Sequence, residues 1–349
     1  MKTKIINIDK ENFKEEELRE AANIIKRGGI VAFPTETVYG LGANGLDEEA
    51  VRNIYRAKGR PSDNPLILHI GEVDQLESLV EEVTKTALKC IENFWPGPLT
   101  IILKRKKLVP DIITAGLETV AIRMPENSIA RALINLAKLP IAAPSANLSG
   151  RPSPTSGAHV VEDMLGKIEM IIDGGSTGIG LESTVLDLST SIPTILRPGA
   201  VTFEDLRKII PEVVEDRANL KSDIIPKSPG QKYRHYAPKA EMIVFTGEVD
   251  SVVVQIQENI DREILNDKKV GIMATDETKD KYKNTNIIIK TLGTRSDKRT
   301  IATSLFNILR EFDALDVDII LAEGVELDDI GLAIMNRMMK ASGGKIIKC

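Results

Sequence analysis

The sequence contains few of the residues that form disulfides or bind transition metals. Among 349 residues there are two cysteines, Cys90 and Cys349, and three widely spaced histidines. Two distant cysteines make neither a disulfide framework nor a CxxC pair, and scattered histidines do not support a zinc site. This composition fits a reducing cytoplasm, and we expect a cytoplasmic protein.

Long apolar runs and a strong charge of one sign are also missing. No run is long enough to cross a bilayer, and the first residues turn acidic without the apolar region of a signal peptide, so we expect no membrane contact. The formal net charge of −5 argues against a general nucleic-acid coat protein. Any contact with a polyphosphate must therefore use a local basic patch.

Several common catalytic motifs are absent as well. The sequence has no GxxxxGK[ST] phosphate loop, no HExxH and no GxSxG nucleophile elbow. The C-terminal part has no GxGxxG after its first predicted strand, so a dinucleotide site is unsupported. The remaining chemistry must come from side chains in loops.

One polar loop stands out, APSANLSGRPSPTS at 143–156, directly after a short apolar strand. Small hydrogen-bond donors crowd it, and one glycine and three prolines shape its path. Such a loop can aim hydroxyls, amides and backbone N–H groups at an anion. A Pro/Ser-rich turn without a ligand explains the loop about equally well when it is taken alone.

Other predicted strands also end in polar or basic residues beside glycine or proline. The cations are Lys58, Arg60, Arg123 and Arg197, and the small donors are Thr37, Thr119, Ser145, Asn147, Ser153 and Ser183. Together they have the composition of an anion site. Such a site suits phosphoryl or nucleotidyl transfer, where positioning and charge stabilisation supply most of the catalysis.

The length predicts two domains, and the patterns differ between the two parts. Up to residue 208, many short strands and fewer helices, one of them over 73–94, predict a curved mixed α/β sheet with a polar concave face. Residues 239–349 alternate strands and helices, which predicts a smaller, Rossmann-like open parallel sheet. Residues 209–238 lack periodicity and are interpreted as a linker that also serves as an active-site lid.

The motifs together resemble a known family. PTETVYGLG, KGRPSDNPL, TVAIRMP, APSANLSGRPSPT, LESTVLDL and LRPGA occur in the order found in YrdC-type domains. Lys58, Arg60, Ser145 and Asn147 match the KxR/SxN signature of that family. QKYRHYAPK and the trailing domain resemble the two-domain form, the L-threonylcarbamoyladenylate synthases.

The resemblance implies a reaction in which L-threonine, bicarbonate and ATP give threonylcarbamoyl-AMP and pyrophosphate. The product passes to the tRNA threonylcarbamoyl transferase machinery, which modifies the adenosine at tRNA position 37. A threonine carbamate attacks the α-phosphorus, so no enzyme nucleophile is needed. Magnesium is expected to accompany ATP, without a protein-bound prosthetic group or a dedicated metal site.

The resemblance also implies roles for individual residues. The catalytic residues are Lys58, Arg60, Ser145 and Asn147. The L-threonine-binding residues are Thr37, His69, Arg123, Ala143 and Ser183, and Arg123 suits the carboxylate because a planar guanidinium binds it through two donors. The ATP-binding residues are Lys58, Arg60, Asn64, Thr119, Ser145, Asn147, Ser153, Arg197 and Tyr236.

Two alternatives belong to other classes. A double-stranded RNA-binding, translation-associated module fits the basic concave face of YrdC-type folds, and weak RNA binding is compatible with the synthase as well. A carbamoyl-adenylate-forming hydrogenase-maturation enzyme needs cysteine zinc modules, which two cysteines cannot build.

Overall fold

A computed structural model describes residues 1–216 and 235–349, which form two compact units. Of the described residues, 1–149, 153–178 and 182–216 belong to the first unit, and 150–152, 179–181 and 235–349 belong to the second. The proposed lid over 209–238 lies for the most part outside the described residues. Its role therefore stays a prediction.

The first unit is built on one large mixed sheet with helices packed against it. Its strands are β1 (Lys4–Asn7), β2 (Val31–Phe33), β3 (Gly40–Asn44), β4 (Ile67–His69), β5 (Leu99–Lys104), β6 (Thr119–Arg123), β7 (Ile141–Ala142), β8 (Met170–Asp173), β9 (Thr184–Asp187), β10 (Thr194–Arg197) and β11 (Val214–Glu215). Its α-helices are α1 (Arg19–Lys26), α2 (Glu48–Lys58), α3 (Leu76–Leu79), α4 (Lys85–Phe94), α5 (Asp111–Thr114), α6 (Ser128–Ala137), α7 (Gly157–Met164) and α8 (Phe203–Ile209). Short 3₁₀ helices cover Glu15–Leu18 and Val73–Gln75.

The strand order in this sheet is β1-β8-β2-β3-β7-β4-β6-β5-β9-β10-β11, with parallel and antiparallel neighbours. The mixed sheet predicted from many short strands is confirmed. Most strand residues are buried, because helices cover the sheet and its side chains enter the core. Close packing requires a glycine in β3, since a Cβ at Gly42 would meet the Phe33 ring at 2.5 Å.

One predicted element is wrong. The single helix expected over 73–94 is interrupted, because Val80 is extended (φ −121°, ψ 151°) and forms an isolated β-bridge with Arg105. A new helix, α4, then begins after Thr84, whose side chain accepts a hydrogen bond from the Ala87 N–H. The β-branched Val80, Val83 and Thr84 favour this extended break over a continuous helix.

The second unit is a five-stranded parallel sheet, which confirms the predicted open α/β domain. Its strands are β12 (Glu241–Thr246), β13 (Val270–Ala274), β14 (Ile287–Thr291), β15 (Ile319–Glu323) and β16 (Ile346–Lys348), in the order β14-β13-β15-β12-β16. Its α-helices are α9 (Val249–Leu265), α10 (Lys298–Leu315) and α11 (Gly331–Ala341), and 3₁₀ helices cover Lys279–Lys281 and Arg295–Asp297. Crossover helices are required because parallel strands cannot be joined by tight turns.

The helices were also compared with the requirements of a membrane span. The longest of them, α10, has 18 residues and includes Lys298, Arg299, Arg310, Glu311 and Asp313. Within residues 1–216 and 235–349, no helix combines the length and low charge needed to cross a bilayer.

Candidate active site

Neighbouring central strands of the first unit's sheet bring polar residues together at one end of the strands. Arg123, at the end of β6, pairs in register with His69 of β4 on one side and Thr100 of β5 on the other. Strand β9 runs parallel to β5 and begins one residue after Ser183, while β10 runs antiparallel to β9 and ends at Arg197. The alternating strand directions therefore gather residues that are distant in the sequence.

The guanidinium of Arg123 is buried and held in a fixed orientation. Its Nε donates to the Gly97 carbonyl at 3.2 Å, and its Nη1 donates to Thr37 Oγ1 at 2.9 Å. Its Nη2 donates to Glu36 Oε1 in an ion pair whose side chains are 4% and 10% exposed. The described residues thus use three of the five donors of the guanidinium and leave two for a ligand.

The loop after β2 is organised by a threonine pair. Thr35 Oγ1 donates to the Val38 carbonyl at 2.6 Å and also lies 2.9 Å from Thr37 Oγ1. The Thr35 hydroxyl proton is used on Val38, so the Thr37 hydroxyl donates to Thr35 and accepts from Arg123. In this arrangement the predicted threonine-binding residue Thr37 fixes the position of Arg123.

His69 is a neutral imidazole in a buried position. Desolvation, followed by the positive charge of Arg123, lowers the pKa of His69 to about 3. Its Nδ1 is buried and has no hydrogen-bond partner among the described residues. Since a buried polar atom without a partner is costly, this nitrogen is well suited to bind a ligand group.

The low pKa of His69 predicts a specific pH dependence of stability. Between pH 6.5 and 3 the unfolded chain binds a proton that the folded chain does not, so the free energy of unfolding decreases on acidification. We expect wild type to lose up to ~1.4 kcal/mol per pH unit more than His69→Gln below pH 6.5, and no more above it. Chemical denaturation at each pH measures this slope. His159→Gln, at a partly exposed site, is the control, and an unchanged slope in His69→Gln would contradict the assignment.

The KxR/SxN signature is a physical link between two loops. Lys58 is 3% exposed, and its Nζ donates to the carbonyls of Ser145 and Asn147 and, at 3.3 Å, to Asn147 Oδ1. The ammonium therefore holds the polar loop of 143–156 in place. Ser145 in turn donates to the Asn147 side chain, so Lys58, Ser145 and Asn147 form one connected group.

Arg60 and Asn64 lie in the loop after α2. The chain can turn there because Gly59 adopts a left-handed conformation (φ 61°). Arg60 donates to the Asn64 carbonyl at 3.2 Å and stacks over the Tyr55 ring at 5.7 Å. The Asn64 side chain is fully buried, and neither its Oδ1 nor its Nδ2 has a hydrogen-bond partner within the described ranges. A whole buried amide without partners indicates a place for a ligand.

The other predicted residues of the first unit are placed as follows. Arg197 donates through Nε and Nη2 to the carbonyl and hydroxyl of Ser183, at 3.0 and 3.1 Å. Ser153 is buried and donates to the Glu182 carboxylate. Ala143 is buried directly after β7, and Thr119 is partly buried at the start of β6.

Tyr236 belongs to the second unit. Its backbone has a positive φ of 63°, its ring lies 5.1 Å from that of Phe306, and the Arg337 guanidinium lies 6.0 Å from the Tyr236 ring. Its predicted contact with a nucleotide stays a prediction.

Sequence reasoning missed Glu36, the acidic partner of Arg123, and Thr100, which lies 2.8 Å from Ser183 Oγ. The position of Glu36 between Thr35 and Thr37, in a motif already singled out, was the available signal. Thr100 gave no signal, because a threonine in an apolar strand is ordinary.

Comparisons with known proteins identify the family of this chain. The model of the Sua5/YciO/YrdC family, described as "Telomere recombination", matches residues 23–199. A second model, "Threonylcarbamoyl-AMP synthase, C-terminal domain", matches residues 201–343. The chain belongs to the Sua5/YciO/YrdC family. This result confirms the resemblance drawn from the motifs.

Two curated members of the Sua5/YciO/YrdC family match this chain over nearly its whole length. A threonylcarbamoyl-AMP synthase of Pyrococcus abyssi is 51% identical over 99% of both chains, and one of Bacillus subtilis is 46% identical over 97% of both. A crystal structure of P. abyssi Sua5 complexed with L-threonine is 51% identical and superimposes with a TM-score of 0.95, covering 99% of this chain and all of that one.

Proposed function

We propose that this member of the Sua5/YciO/YrdC family is an L-threonylcarbamoyladenylate synthase. It joins L-threonine, bicarbonate and ATP to give threonylcarbamoyl-AMP and pyrophosphate, and the product passes to the tRNA threonylcarbamoyl transferase machinery for modification of position 37. The observation that carries the proposal is the set of buried polar atoms on Glu36, His69 and Asn64 that have no hydrogen-bond partner in the part of the chain that the structure describes. The synthase relatives and the threonine complex of P. abyssi Sua5 support it.

Threonine binds at the end of strands β4, β5 and β6 where His69, Thr100 and Arg123 lie side by side. The two remaining donors of Arg123 form a bidentate pair with the α-carboxylate. His69 Nδ1 and the Ser183 hydroxyl form hydrogen bonds with the other polar groups of threonine. Thr37 and Ala143 line the rest of the pocket. The neutral state of His69 suits this role, because a second cation beside Arg123 would be repelled.

ATP binds beside threonine. The Asn64 amide can both donate and accept, which suits a purine or ribose edge. Arg60, Thr119, Ser145, Asn147, Ser153 and Arg197 bind the rest of the nucleotide, with Tyr236 as a further predicted contact. The charges of Lys58, Arg60 and Arg197 stabilise the negative charge that develops at the phosphates.

The reaction proceeds by in-line displacement without an enzyme nucleophile. The threonine amine first adds to the bicarbonate carbon and water leaves, which gives the carbamate. The carbamate oxygen then bonds to the α-phosphorus, and the bond from that phosphorus to the bridging oxygen breaks, releasing pyrophosphate. Magnesium enters with the ATP phosphates, which it prefers to dedicated protein cages. Within residues 1–216 and 235–349, no group of three or more carboxylate, histidine or cysteine side chains is arranged to hold a metal ion.

Omission of single substrates tests the proposal. Pyrophosphate release should require ATP, bicarbonate and L-threonine together, and mass spectrometry should detect threonylcarbamoyl-AMP. Valine should react at least roughly a hundredfold more slowly, because it leaves the groups that pair the threonine hydroxyl without a partner. Equal turnover with serine or valine would remove the threonine assignment. Salt-sensitive binding of double-stranded RNA without ATP turnover would instead favour an RNA-binding module.

A further inference from the structure

Glu36 has one carboxylate oxygen that no described residue uses. Its Oε1 accepts from Arg123 Nη2, whereas its Oε2 is buried and has no hydrogen-bond partner within residues 1–216 and 235–349. The side chain is only 10% exposed, so bulk water gives this oxygen little stabilisation. Leaving a buried oxygen of a charged group unpaired costs on the order of 1–3 kcal/mol or more.

The neighbouring hydroxyls form their hydrogen bonds with other groups. The Thr35 hydroxyl donates to the Val38 carbonyl, and the Thr37 hydroxyl, which accepts from Arg123, donates to Thr35. Within residues 1–216 and 235–349, neither hydroxyl forms a hydrogen bond with Glu36 Oε2. A donor supplied by a ligand would pair this oxygen.

Arg123 and Glu36 together present complementary charges. Arg123 keeps two N–H donors after its three hydrogen bonds to Gly97, Thr37 and Glu36. Beside them, Glu36 keeps one charged acceptor. A cation with two free donors next to an anion with one free acceptor matches an α-amino acid, which carries a carboxylate and an ammonium on the same carbon.

We infer that Glu36 is a substrate-binding residue, whose Oε2 binds the α-ammonium of the amino acid while its Oε1 holds Arg123 for the α-carboxylate. This inference rests on the proposed function and adds a requirement for a free α-ammonium. It assigns recognition of the amine to a carboxylate, whereas the residues predicted from the sequence offered only cationic or neutral groups at this place.

A comparison of two ligands in two variants distinguishes a substrate-binding role of Glu36 from a purely structural role. Calorimetry measures the affinities of wild type and Glu36→Gln for L-threonine and for (R)-3-hydroxybutyrate, which keeps the carboxylate and hydroxyl of threonine but lacks the ammonium. Wild type should prefer threonine by about tenfold or more, the range of a charge-assisted hydrogen bond. In Glu36→Gln the preference should shrink to about twofold, because an amide oxygen lacks the charge.

A purely structural role for Glu36 predicts a different outcome. Both ligands would then weaken equally in Glu36→Gln, and an unchanged preference would overturn the inference. Glu49→Gln is the matched control, because Glu49 also pairs with an arginine, Arg56, but on the surface. It should leave both affinities unchanged.

Two measurements on the wild-type protein test the inference even if the variant is unstable. If Glu36→Gln does not fold, wild type alone suffices, since equal affinity for threonine and (R)-3-hydroxybutyrate would overturn the inference. Pyrophosphate release by wild type tests the proposed function separately. If wild type releases pyrophosphate normally but binds threonine and (R)-3-hydroxybutyrate equally well, only the role of Glu36 is wrong. If wild type prefers threonine but releases no pyrophosphate, only the synthase assignment is wrong.

Discussion

Replacing Lys58 with alanine should lower kcat/KM for pyrophosphate release at least about a hundredfold. Two effects combine. The variant loses a positive charge at the proposed phosphate site, and the carbonyls of Ser145 and Asn147 lose the ammonium to which they are bonded. Because these buried acceptors are then unpaired, the polar loop of 143–156 loses the contact that fixes it.

Steady-state kinetics and nucleotide binding of Lys58→Ala and Lys58→Arg distinguish the two effects. Arginine keeps the charge, but its planar fork cannot point three donors at three converging oxygens, so we expect only partial recovery. Lys89→Ala, at an exposed position on α4, is the control and should keep full activity. Full turnover and ATP affinity in Lys58→Ala would show that neither the charge nor the loop contact matters.

Replacing Arg123 with alanine should raise KM for L-threonine at least about a hundredfold while ATP affinity changes less than about threefold. The variant loses the bidentate partner of the α-carboxylate, and it leaves Glu36 as a buried charge without its counter-ion. Arg123→Lys should recover little, because a single ammonium cannot replace the hydrogen bonds to Gly97, Thr37 and Glu36 and also bind a carboxylate.

Calorimetry with threonine and with a non-hydrolysable ATP analogue measures both affinities. Arg52→Ala removes an arginine from an exposed ion pair on α2 and should change neither. A parallel loss of threonine and nucleotide affinity in Arg123→Ala would indicate a general loss of structure. Unchanged threonine affinity would show that Arg123 does not bind the carboxylate.

The strands that carry the site could be predicted because their sequence signals are local. The segment TVAIR at 119–123 alternates in polarity, which is typical of a strand, and these five residues form β6. Asp47 and Asn127 cap the helices that follow them, each accepting two backbone N–H groups, as their position before an amphipathic segment indicates. Such signals depend on neighbours in the sequence and not on the rest of the fold.

The partners of the site residues could not be predicted in the same way. Glu36 lies 87 positions from Arg123, and Lys58 lies 89 positions from Asn147, so only the assembled sheet shows which charges meet. The helix expected over 73–94 failed for a related reason. Its residues around Val80 pair with Arg105, a long-range contact that outweighs the local helical pattern.

The position of β1 in the sheet affects how the first unit folds while the chain is being translated. Among the strands of the described residues, β1 pairs with β8 alone, and Thr3 donates to the Ile168 carbonyl 165 positions further along the chain. On the ribosome, β1 therefore emerges long before its partner exists, and its exposed Ile5 stays in solvent during that time. Pairings this distant slow folding, because a large loop must close before any contact is gained. The large sheet is thus completed late in translation, and its edge strand is exposed to other chains until β8 has been made.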